Sequence, residues 1–386
     1  SAPICSESKE YTTPSFMDEL HECSQRHQYL AGNYADMGDG QNAEMHSVLA
    51  LQAELRVISG EFATGDSENS DGAVNSHNSY SNIERKSPEE RLAMINEPTP
   101  SMMRILTILV RIYTDQDRLF LAKTYSQKLE DLINAYYGEK VAVDIAAENL
   151  QHTACISYRL QDFKRTIKCY SKSLDILEKL GSDSALVMQA KTYVKLANLY
   201  LRINEFDFAE SCIQKALLFP FPKDQTLNHA IRWILKAIAT HHEDIEDYEK
   251  AQNYRLLALH SYKEVKSGSE NAPAVQYKIA ATLAHLGENS NKLGQYKKAT
   301  RYYYQSLARF NDLKNWTHMV KVLVLIGRIY TKRDKYYRAQ EIYGKAISIC
   351  KSNNLDPKYL VIALYELGRL RWNFGSKTRA CEVFHH

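Results

Sequence analysis

The sequence predicts an all-α fold, a right-handed α-solenoid made of stacked antiparallel helix hairpins. The first observation is a small or compact residue that recurs at steps of 40 to 48 positions from Val110 to Gly368. The second is an aromatic residue nine positions after five of these residues. The third is the helical period of the apolar residues between them, in a chain of 386 residues with only nine prolines.

We call the recurring small or compact residues the notches, because side chains of that size let two helices approach closely. The clearest repeat, residues 320–353, has the notch Gly327 and Tyr330 in its first half and Ala339 and Tyr343 in its second. In chain order, the notches are Ala31, Val110, Ala154, Ala197, Ala239, Gly287, Gly327 and Gly368. A helix hairpin cannot bury its apolar faces alone, so the recurrence predicts a stack of neighbouring hairpins.

The aromatic residue nine positions after the notch is expected in the turn between the two helices of a hairpin. It occurs in phrases such as Asp247-Tyr248-Glu249, which read as a polar connection. The five aromatic residues are Phe163, Phe206, Tyr248, Tyr296 and Tyr336.

The spacing Leu323-x-x-Ile326-Gly327-x-x-Tyr330, followed by Ala339-x-x-x-Tyr343, resembles the tetratricopeptide (TPR) repeat. Most steps between notches are 40 to 44 residues, longer than the roughly 34 of a standard repeat. In this the chain is similar to the long-repeat type found in kinesin light chain and in the Leu-Gly-Asn-type spindle-orientation adaptors. The resemblance implies a right-handed superhelix that binds other proteins.

Composition favours a soluble protein and argues against nucleic acid as the main partner. The chain is 44% hydrophobic and 25% charged, and its net charge is only +3. No apolar run approaches the roughly 18–20 residues that span a bilayer, so no membrane insertion is expected. The seven scattered cysteines indicate reduced thiols, which predicts a cytoplasmic location, with the nucleus as the alternative.

The chain is expected to have four parts. A polar leader, 1–23, precedes a first hairpin, 24–59. A flexible linker follows, 60–98, rich in acidic residues, Ser and Asn, with a short helix after Ser87-Pro88. The array, 99–386, holds about seven hairpins, and the last is incomplete, so we expect a fragment or an incomplete C-terminus.

Three local signals should set helix boundaries within this plan. Thr99-Pro100 should open the array and Asp356-Pro357 its last hairpin, because proline is favoured at the first helical position. Gly181 should end a helix, because glycine readily adopts the left-handed conformation of a C-terminal cap.

The sequence offers no catalytic constellation, so a non-enzymatic protein without cofactor or metal is expected. It has no Gly-rich phosphate loop, no His-Glu-x-x-His and no Gly-x-Ser-x-Gly. His241-His242-Glu243-Asp244 is the stretch richest in metal-ligand types, but adjacent side chains on a helix point about 100° apart. A polar helix end is the better interpretation.

The TPR resemblance implies that the first helices of successive hairpins line a concave groove. The candidate groove residues are Lys191, Lys195, Asn198, Arg202, Lys236, His285, Asn291, Lys292, Arg328, Lys332 and Arg369. Earlier repeats offer Arg104, Arg111, His152, Tyr158 and Arg159. This set is mostly cationic, so we expect a protein or peptide partner whose bound segment is acidic or bears a carboxylate. The carboxylate clamp of chaperone-binding TPR proteins is absent in this register, because Val194 and Ala237 replace its Lys and Asn.

Two alternatives to a peptide-binding scaffold remain open. The array could be a structural subunit of a larger complex, such as a ubiquitin ligase or a ciliary, cytoskeletal or motor assembly, with its 26 tyrosines serving outer contacts. It could also be the accessory domain of a longer enzyme.

Overall fold

A computed structural model describes residues 16–59, 86–96, 98–135, 140–219, 225–263 and 273–374. Within these ranges the secondary structure is α-helical, with sixteen helices and no strand. None of these helices is both long and apolar enough to cross a membrane. The chain forms two compact units, Ser1–Thr192 and Tyr193–His386, and each is a stack of antiparallel helix hairpins. The predicted all-α hairpin fold is therefore confirmed, whereas the handedness of its superhelix stays a prediction.

The first unit contains three hairpins and a short helix, α3, beside the second of them. Its helices are α1 Phe16–Asp36, α2 Gly40–Ser59, α3 Pro88–Ala93, α4 Pro100–Asp115, α5 Leu119–Ala135, α6 Lys140–Arg159 and α7 Phe163–Leu180. Helix α8, Asp183–Arg202, begins in this unit and ends in the second. The largest apolar cluster of the unit packs α4 against α2, α5 and α6.

The second unit continues the same alternation of first and second helices. Its helices are α9 Phe206–Ala216, α10 Gln225–Asp244, α11 Tyr248–Lys263, α12 Pro273–Lys292, α13 Tyr296–Asp312, α14 Trp316–Lys332, α15 Tyr336–Ser352 and α16 Pro357–Asn373. The largest cluster of buried apolar residues joins α12 to α16. First helices α10, α12, α14 and α16 each carry one notch, and the second helices between them supply the side chains that pack on it.

The notches lie where two helices touch. Ala31, Val110, Ala154, Ala197 and Ala239 are completely buried. Gly287 and Gly327 are buried beneath tyrosine rings of the following helix, so closely that a β-carbon at either position would overlap the ring. Small residues are therefore required at these two positions.

The residue sixteen positions after each notch fills the space above it, and we call it the plug. Seven of these residues are almost completely buried: Ser47 and Ser126 in the first two hairpins, then Tyr170, Ile213, Arg255, Tyr303 and Tyr343. Contacts show the pairing for Gly287 with Tyr303 and for Gly327 with Tyr343. Arg255 departs from this uncharged pattern, because it places a charged group in a buried position.

The aromatic residues nine positions after the notch are not in the turn, and that prediction was wrong. Each is the first residue of its second helix, as Phe163 is in α7 and Tyr336 is in α15. The turn residue with positive φ lies two positions before the second helix starts. In seven hairpins this residue is Gly38, Asp117, Gln161, Asn204, Glu246, Gly294 or Asp334. A residue in the left-handed conformation reverses the chain in a short connection. The backbone conformation at this turn position is therefore the same in these hairpins, although the residue type differs.

The predicted helix signals agree with the structure, with one difference at the start. Ser87 forms a capping box with Glu90, and Thr99 caps α4. Asp356 caps α16, and Gly181 ends α7 with φ of 58°. Helix α1, however, begins at Phe16, inside the expected leader 1–23.

Several expectations lie outside the described residues. Most of the linker 60–98 and the second helix of the last hairpin, with Ala380 and Phe384, belong to this group. The division into leader, linker and array therefore stays a prediction.

Candidate functional site

The predicted binding residues of the second unit lie mainly on one set of helices. We define the candidate binding face by position relative to the notch on α10, α12, α14 and α16. On each helix its residues lie six, three and two positions before the notch and one, four and five positions after it. Contacts connect the helices that carry this set: Asn289 Nδ2 of α12, a buried residue beside the face, donates to Glu243 Oε1 of α10 at 2.8 Å. Arg328 of α14 meets Glu366 of α16. The face is thus continuous from α14 to α16, and a buried contact beside the face joins α10 to α12.

The predicted residues on α8 fall in two units. Lys191 is half-buried and belongs to the first unit, whereas Lys195, Asn198 and Arg202 are exposed in the second. Lys191, Lys195 and Arg202 already take part in interactions within the chain. We therefore confine the candidate site to the binding face of the second unit.

Three predicted lysines of this face are exposed. Lys236 of α10 and Lys332 of α14 reach solvent. Lys292 of α12 is also exposed and lies over the ring of Tyr248, 5.7 Å from its centre. These amines supply mobile positive charge, which favours an acidic ligand without fixing its orientation.

Arg328 and Arg369, both predicted, meet on one buried carboxylate. Arg328 donates through Nε to Glu366 Oε1 at 2.8 Å, and its Nη2 lies 2.8 Å from the same oxygen. Arg369 Nη2 lies 2.8 Å from Glu366 Oε2. The arginine side chains are 45% and 48% exposed, whereas the glutamate is 3% exposed. One carboxylate thus pairs with two guanidinium groups: it accepts a hydrogen bond from Arg328, and Arg369 lies at ion-pair distance without a hydrogen bond. Both arginines keep further N–H donors, and the cluster has a net positive charge.

Sequence reasoning missed Glu366 and counted both arginines as unpaired cations. The signal was present, because Glu366 lies two positions before the notch Gly368, in a row already assigned to the groove. The plug Tyr343 belongs to the same cluster, since the charges of Glu366, Arg328 and Arg369 act on its hydroxyl. Burial is the main reason that the pKa of Tyr343 is raised to about 12.

A second polar cluster surrounds the plug Arg255. Its Nε donates to Glu243 Oε1 at 3.0 Å and its Nη2 to Glu243 Oε2 at 2.7 Å, a bidentate pair. Nη2 also lies 3.1 Å from Thr240 Oγ1. The Arg255 side chain is only 1% exposed. Glu243 lies on the face, four positions after Ala239. Sequence reasoning missed its partner Arg255, because only the plug register shows that an arginine replaces a tyrosine here.

His285 and Asn291, both predicted, are half-buried on α12 beside this cluster. Burial is the main cause that lowers the pKa of His285 to about 4, and the positive charges of Arg255 and Lys236 add to it. Glu243 opposes this effect without cancelling it. The ring is therefore neutral at pH 7 and is not one of the cations that the sequence analysis assumed.

An open pocket lies next to Lys236 at the α10 end of the face. Its volume is about 430 Å³, and Trp233, 51% exposed, forms one wall. Phe206 stacks on His241 with ring centres 3.8 Å apart beneath it. The full lining is Leu201, Phe206, Trp233, Lys236, Ala237, Thr240, His241 and Asp244. A bulky apolar side chain would fit there beside a lysine.

The side chains of the His241–Asp244 stretch contact different residues. His242 contacts Glu210 at 3.0 Å, whereas Glu243 pairs with Arg255. No group of three or more metal-ligand side chains occurs in the part of the chain that the structure describes. This stretch contributes to the fold and to the binding face.

The cations predicted in the first unit are largely paired within it. Arg111 pairs with Asp36. Arg159 contacts the Thr114 carbonyl oxygen and lies 3.2 Å from Asp117 Oδ1. These pairs leave less positive charge for a ligand than the sequence suggested.

These features define the class of protein. It is a helical-repeat protein in which the notch of a first helix packs against the plug of the next helix, and the first helices share one polar face. Residues 320–353 match the family model described as tetratricopeptide repeat, so the predicted resemblance is confirmed for this segment.

Other similarities are more distant. Response regulator aspartate phosphatase J of Bacillus subtilis is 29% identical over 110 residues, which are 28% of this chain and 27% of that protein. The apo form of RapI is similar in structure with a TM-score of 0.47 and 14% identity, over 93% of this chain and 84% of that chain. Kinesin light chain TPR-like repeats of Podosopora anserina give a TM-score of 0.38 and 12% identity, over 50% and 91%. The matched segment spans about a quarter of the length of the Bacillus relative.

Proposed function

We propose that the second unit is a non-enzymatic scaffold that binds an extended, acidic segment of a partner protein along the candidate binding face. The Arg328–Glu366–Arg369 cluster is the observation that carries this proposal. Its two guanidinium groups are held in place by a buried carboxylate and still present donors to solvent. Guanidinium donors fixed in this way suit a carboxylate better than mobile lysines do.

The exposed lysines add a second reason. Lys236, Lys292 and Lys332 extend the positive charge over three of the four helices. Helices that pack directly on one another lie roughly 8–10 Å apart, so a row of four helices spans about 30 Å or more. An extended peptide of about twelve residues reaches roughly 40 Å and can cover that length.

We do not extend the phosphatase activity in the Bacillus relative's name to this chain, because the match spans 27% of that relative. The binding face includes the exposed cations Lys236, Lys292, Arg328, Lys332 and Arg369, which suit recognition of a carboxylate.

The test is selection of displayed random peptides of about twelve residues on the purified chain. Selected sequences should be enriched in Asp and Glu. The variant Arg328→Gln/Glu366→Gln/Arg369→Gln removes the cluster without leaving an unpaired charge, and it should bind the selected peptides about tenfold more weakly.

The matched control is Lys351→Gln, which makes the same change of net charge at an exposed position of α15, a second helix. It should bind like the wild type. Selection of peptides without acidic enrichment, or equal binding by the cluster variant, would show that the proposal is wrong.

A further inference from the structure

The net charge of the chain, +3, is the sum of two large and opposite charges. Residues 1–192 contain 19 Lys and Arg against 28 Asp and Glu, a net charge of −9, whereas residues 193–386 contain 30 against 18, a net charge of +12. The segment 296–352, from α13 to α15, contains 13 Lys and Arg against three Asp and Glu. Such an asymmetry indicates a polyanionic partner for the basic half, so the overall charge does not argue against nucleic acid there.

Four exposed cations of this segment lie on the second helices or beside them, and not on the candidate binding face. Lys297 and Arg301 belong to the first two turns of α13. Arg338 lies in the first turn of α15, and Lys335 directly precedes that helix. None of the four forms an ion pair with a carboxylate in the part of the chain that the structure describes. Their charge is therefore available to a ligand.

The cations of α13 and α15 meet at Tyr304. Lys297, Arg301 and Tyr304 are three or four positions apart, so they share one side of α13. The charge of Arg338 on α15 acts on the Tyr304 hydroxyl, which places this arginine beside the same side of α13. Glu341 also acts on that hydroxyl, but it already pairs with a lysine of its own helix at 2.6 Å. The surface that the two helices share is therefore cationic.

Two tyrosine rings of this surface are open to solvent. Tyr337, the second residue of α15, is 82% exposed, and Tyr304 is 42% exposed. Phe374 at the end of α16 lies near Tyr337, with ring centres 6.1 Å apart, and is itself half exposed. Exposed rings of this kind contribute little to the core, but their faces can stack on a planar group.

A single-stranded nucleic acid fits this surface better than other polyanions do. Its phosphates pair with Lys and Arg, and its bases stack on aromatic side chains. A duplex keeps its bases stacked on one another, away from the rings. A membrane would need exposed aliphatic side chains beside the cations, whereas the next exposed positions along α13 are Gln305 and Ala308.

We propose that α13 and α15 bind single-stranded nucleic acid, with Lys297, Arg301 and Arg338 contacting phosphates and Tyr304 and Tyr337 stacking on bases. These residues lie on second helices, whereas the candidate binding face lies on first helices. The inference therefore goes beyond the proposed peptide-binding function and does not depend on it.

The test measures binding of fluorescein-labelled single strands of about 12 nucleotides, as RNA and as DNA of the same sequence, by fluorescence anisotropy at several salt concentrations. Lys297→Gln/Arg301→Gln/Arg338→Gln should bind both at least tenfold more weakly at low salt. The slope of log K against log salt should fall in magnitude by about 2, because three phosphate contacts are lost. Circular dichroism checks the fold of this variant.

The matched control is Lys164→Gln/Lys168→Gln/Lys172→Gln, which removes the same charge from exposed positions of α7, a second helix of the first unit. It should bind the single strands within about twofold of the wild type. An equal loss in this control would show that only the net charge of the chain matters, and it would overturn the inference.

Tyr337→Ala tests stacking without changing any charge. It should weaken single-strand binding about fivefold and leave the salt slope unchanged. A duplex of the same sequence and polyphosphate of similar charge should bind more weakly than the single strands and should not respond to Tyr337→Ala. Equal binding of polyphosphate or duplex, or no binding of either single strand by the wild type, would overturn the inference.

The variant that lacks the Arg328–Glu366–Arg369 cluster separates this inference from the proposed function. It should bind the single strands like the wild type, and Lys297→Gln/Arg301→Gln/Arg338→Gln should bind the selected acidic peptides like the wild type. Loss of single-strand binding in the cluster variant alone would place the nucleic acid on the first helices and overturn the inference. Failure to select acidic peptides would overturn the proposed function and leave this inference intact.

Discussion

Tyr343 packs on Gly327 so closely that a β-carbon at position 327 would lie 2.3 Å from the ring carbon Cε1 of the tyrosine. The same relationship recurs one hairpin earlier, where a β-carbon at Gly287 would lie 2.6 Å from Tyr303. A ring held against a glycine is thus the unit of contact between first and second helices in this region. It also brings the plug close to the polar binding face on the other side of the first helix.

The first prediction concerns this contact. Gly327→Ala should lower the free energy of unfolding by about 1–3 kcal/mol, because the added methyl overlaps a completely buried ring. Gly344→Ala is the matched control, since a β-carbon there meets nothing within 4 Å. It should raise stability by about 0.5–1 kcal/mol through helix propensity. Urea denaturation monitored by circular dichroism would measure both.

A second change can test the cause. Gly327→Ala/Tyr343→Ile recreates the pair that Ala197 and Ile213 form in an earlier hairpin. The double variant should be more stable than Gly327→Ala alone. If it is less stable, overlap with the tyrosine ring is not the reason for the loss.

The repeat register was predictable from sequence because it depends on residue size. Ala154, Ala239 and Gly327 lie at helix contacts as expected, since only small residues fit there. The capping residues Ser87 and Thr99 were predictable for a similar reason, because their side chains act on backbone groups three residues away.

The charge pairing of the binding face was not predictable in the same way. Arg328 and Glu366 lie on different helices, and their contact depends on how two hairpins stack. The sequence analysis placed Arg328 and Arg369 on the correct helices but assigned them no partner. Arg255 was missed because its position within the hairpin is uncharged in the other hairpins, and composition alone does not show that it is buried.

The second prediction concerns the turns. Glu246 has φ of 65°, a conformation that glycine adopts without steric cost. Glu246→Gly should therefore stabilise the second unit by about 0.5–1 kcal/mol. Gly294 occupies the equivalent turn with φ of 71°, and Gly294→Ala should destabilise by about 1 kcal/mol. Equal and small effects of both changes in thermal unfolding would show that these turns are not strained.

The third prediction concerns the buried pair of Arg255 and Glu243. Glu243→Ala should cost about 2–4 kcal/mol, because it leaves a guanidinium buried without its carboxylate. Arg255→Tyr/Glu243→Asn removes both charges and restores the usual plug, so its stability should lie within about 1 kcal/mol of the wild type. The measurement compares the free energy of unfolding of Glu243→Ala with that of Arg255→Tyr/Glu243→Asn. A double variant less stable than Glu243→Ala would mean that the pair is needed for folding itself.

The last prediction concerns pH. Burial first, and then Arg255 and Lys236, lower the pKa of His285 to about 4 from its ordinary value of 6.5. The unfolded chain therefore binds the proton more readily, and the stability from neutral His285 is complete above about pH 6.5 and is lost as the pH falls towards 4. We expect a loss of order 1–2 kcal/mol over this range, allowing for partial exposure of the ring.

The measurement is the free energy of unfolding of the wild type and of His285→Gln at several pH values. The variant should show a flatter dependence between about pH 6.5 and 5, whereas His260→Gln, at an exposed position of α11, should follow the wild type. Glu243 contributes to the pH dependence of stability at lower pH. Burial alone would raise its pKa, but the hydrogen bond and positive charge of Arg255 and the hydrogen bond from Asn289 lower it. The stability from ionised Glu243 is present above the pKa of this residue in the unfolded chain, and it is lost as the pH falls through its pKa in the folded chain. Both variants should therefore still lose stability in acid. Identical pH profiles for His285→Gln and the wild type would mean that burial and the neighbouring cations do not hold the histidine neutral.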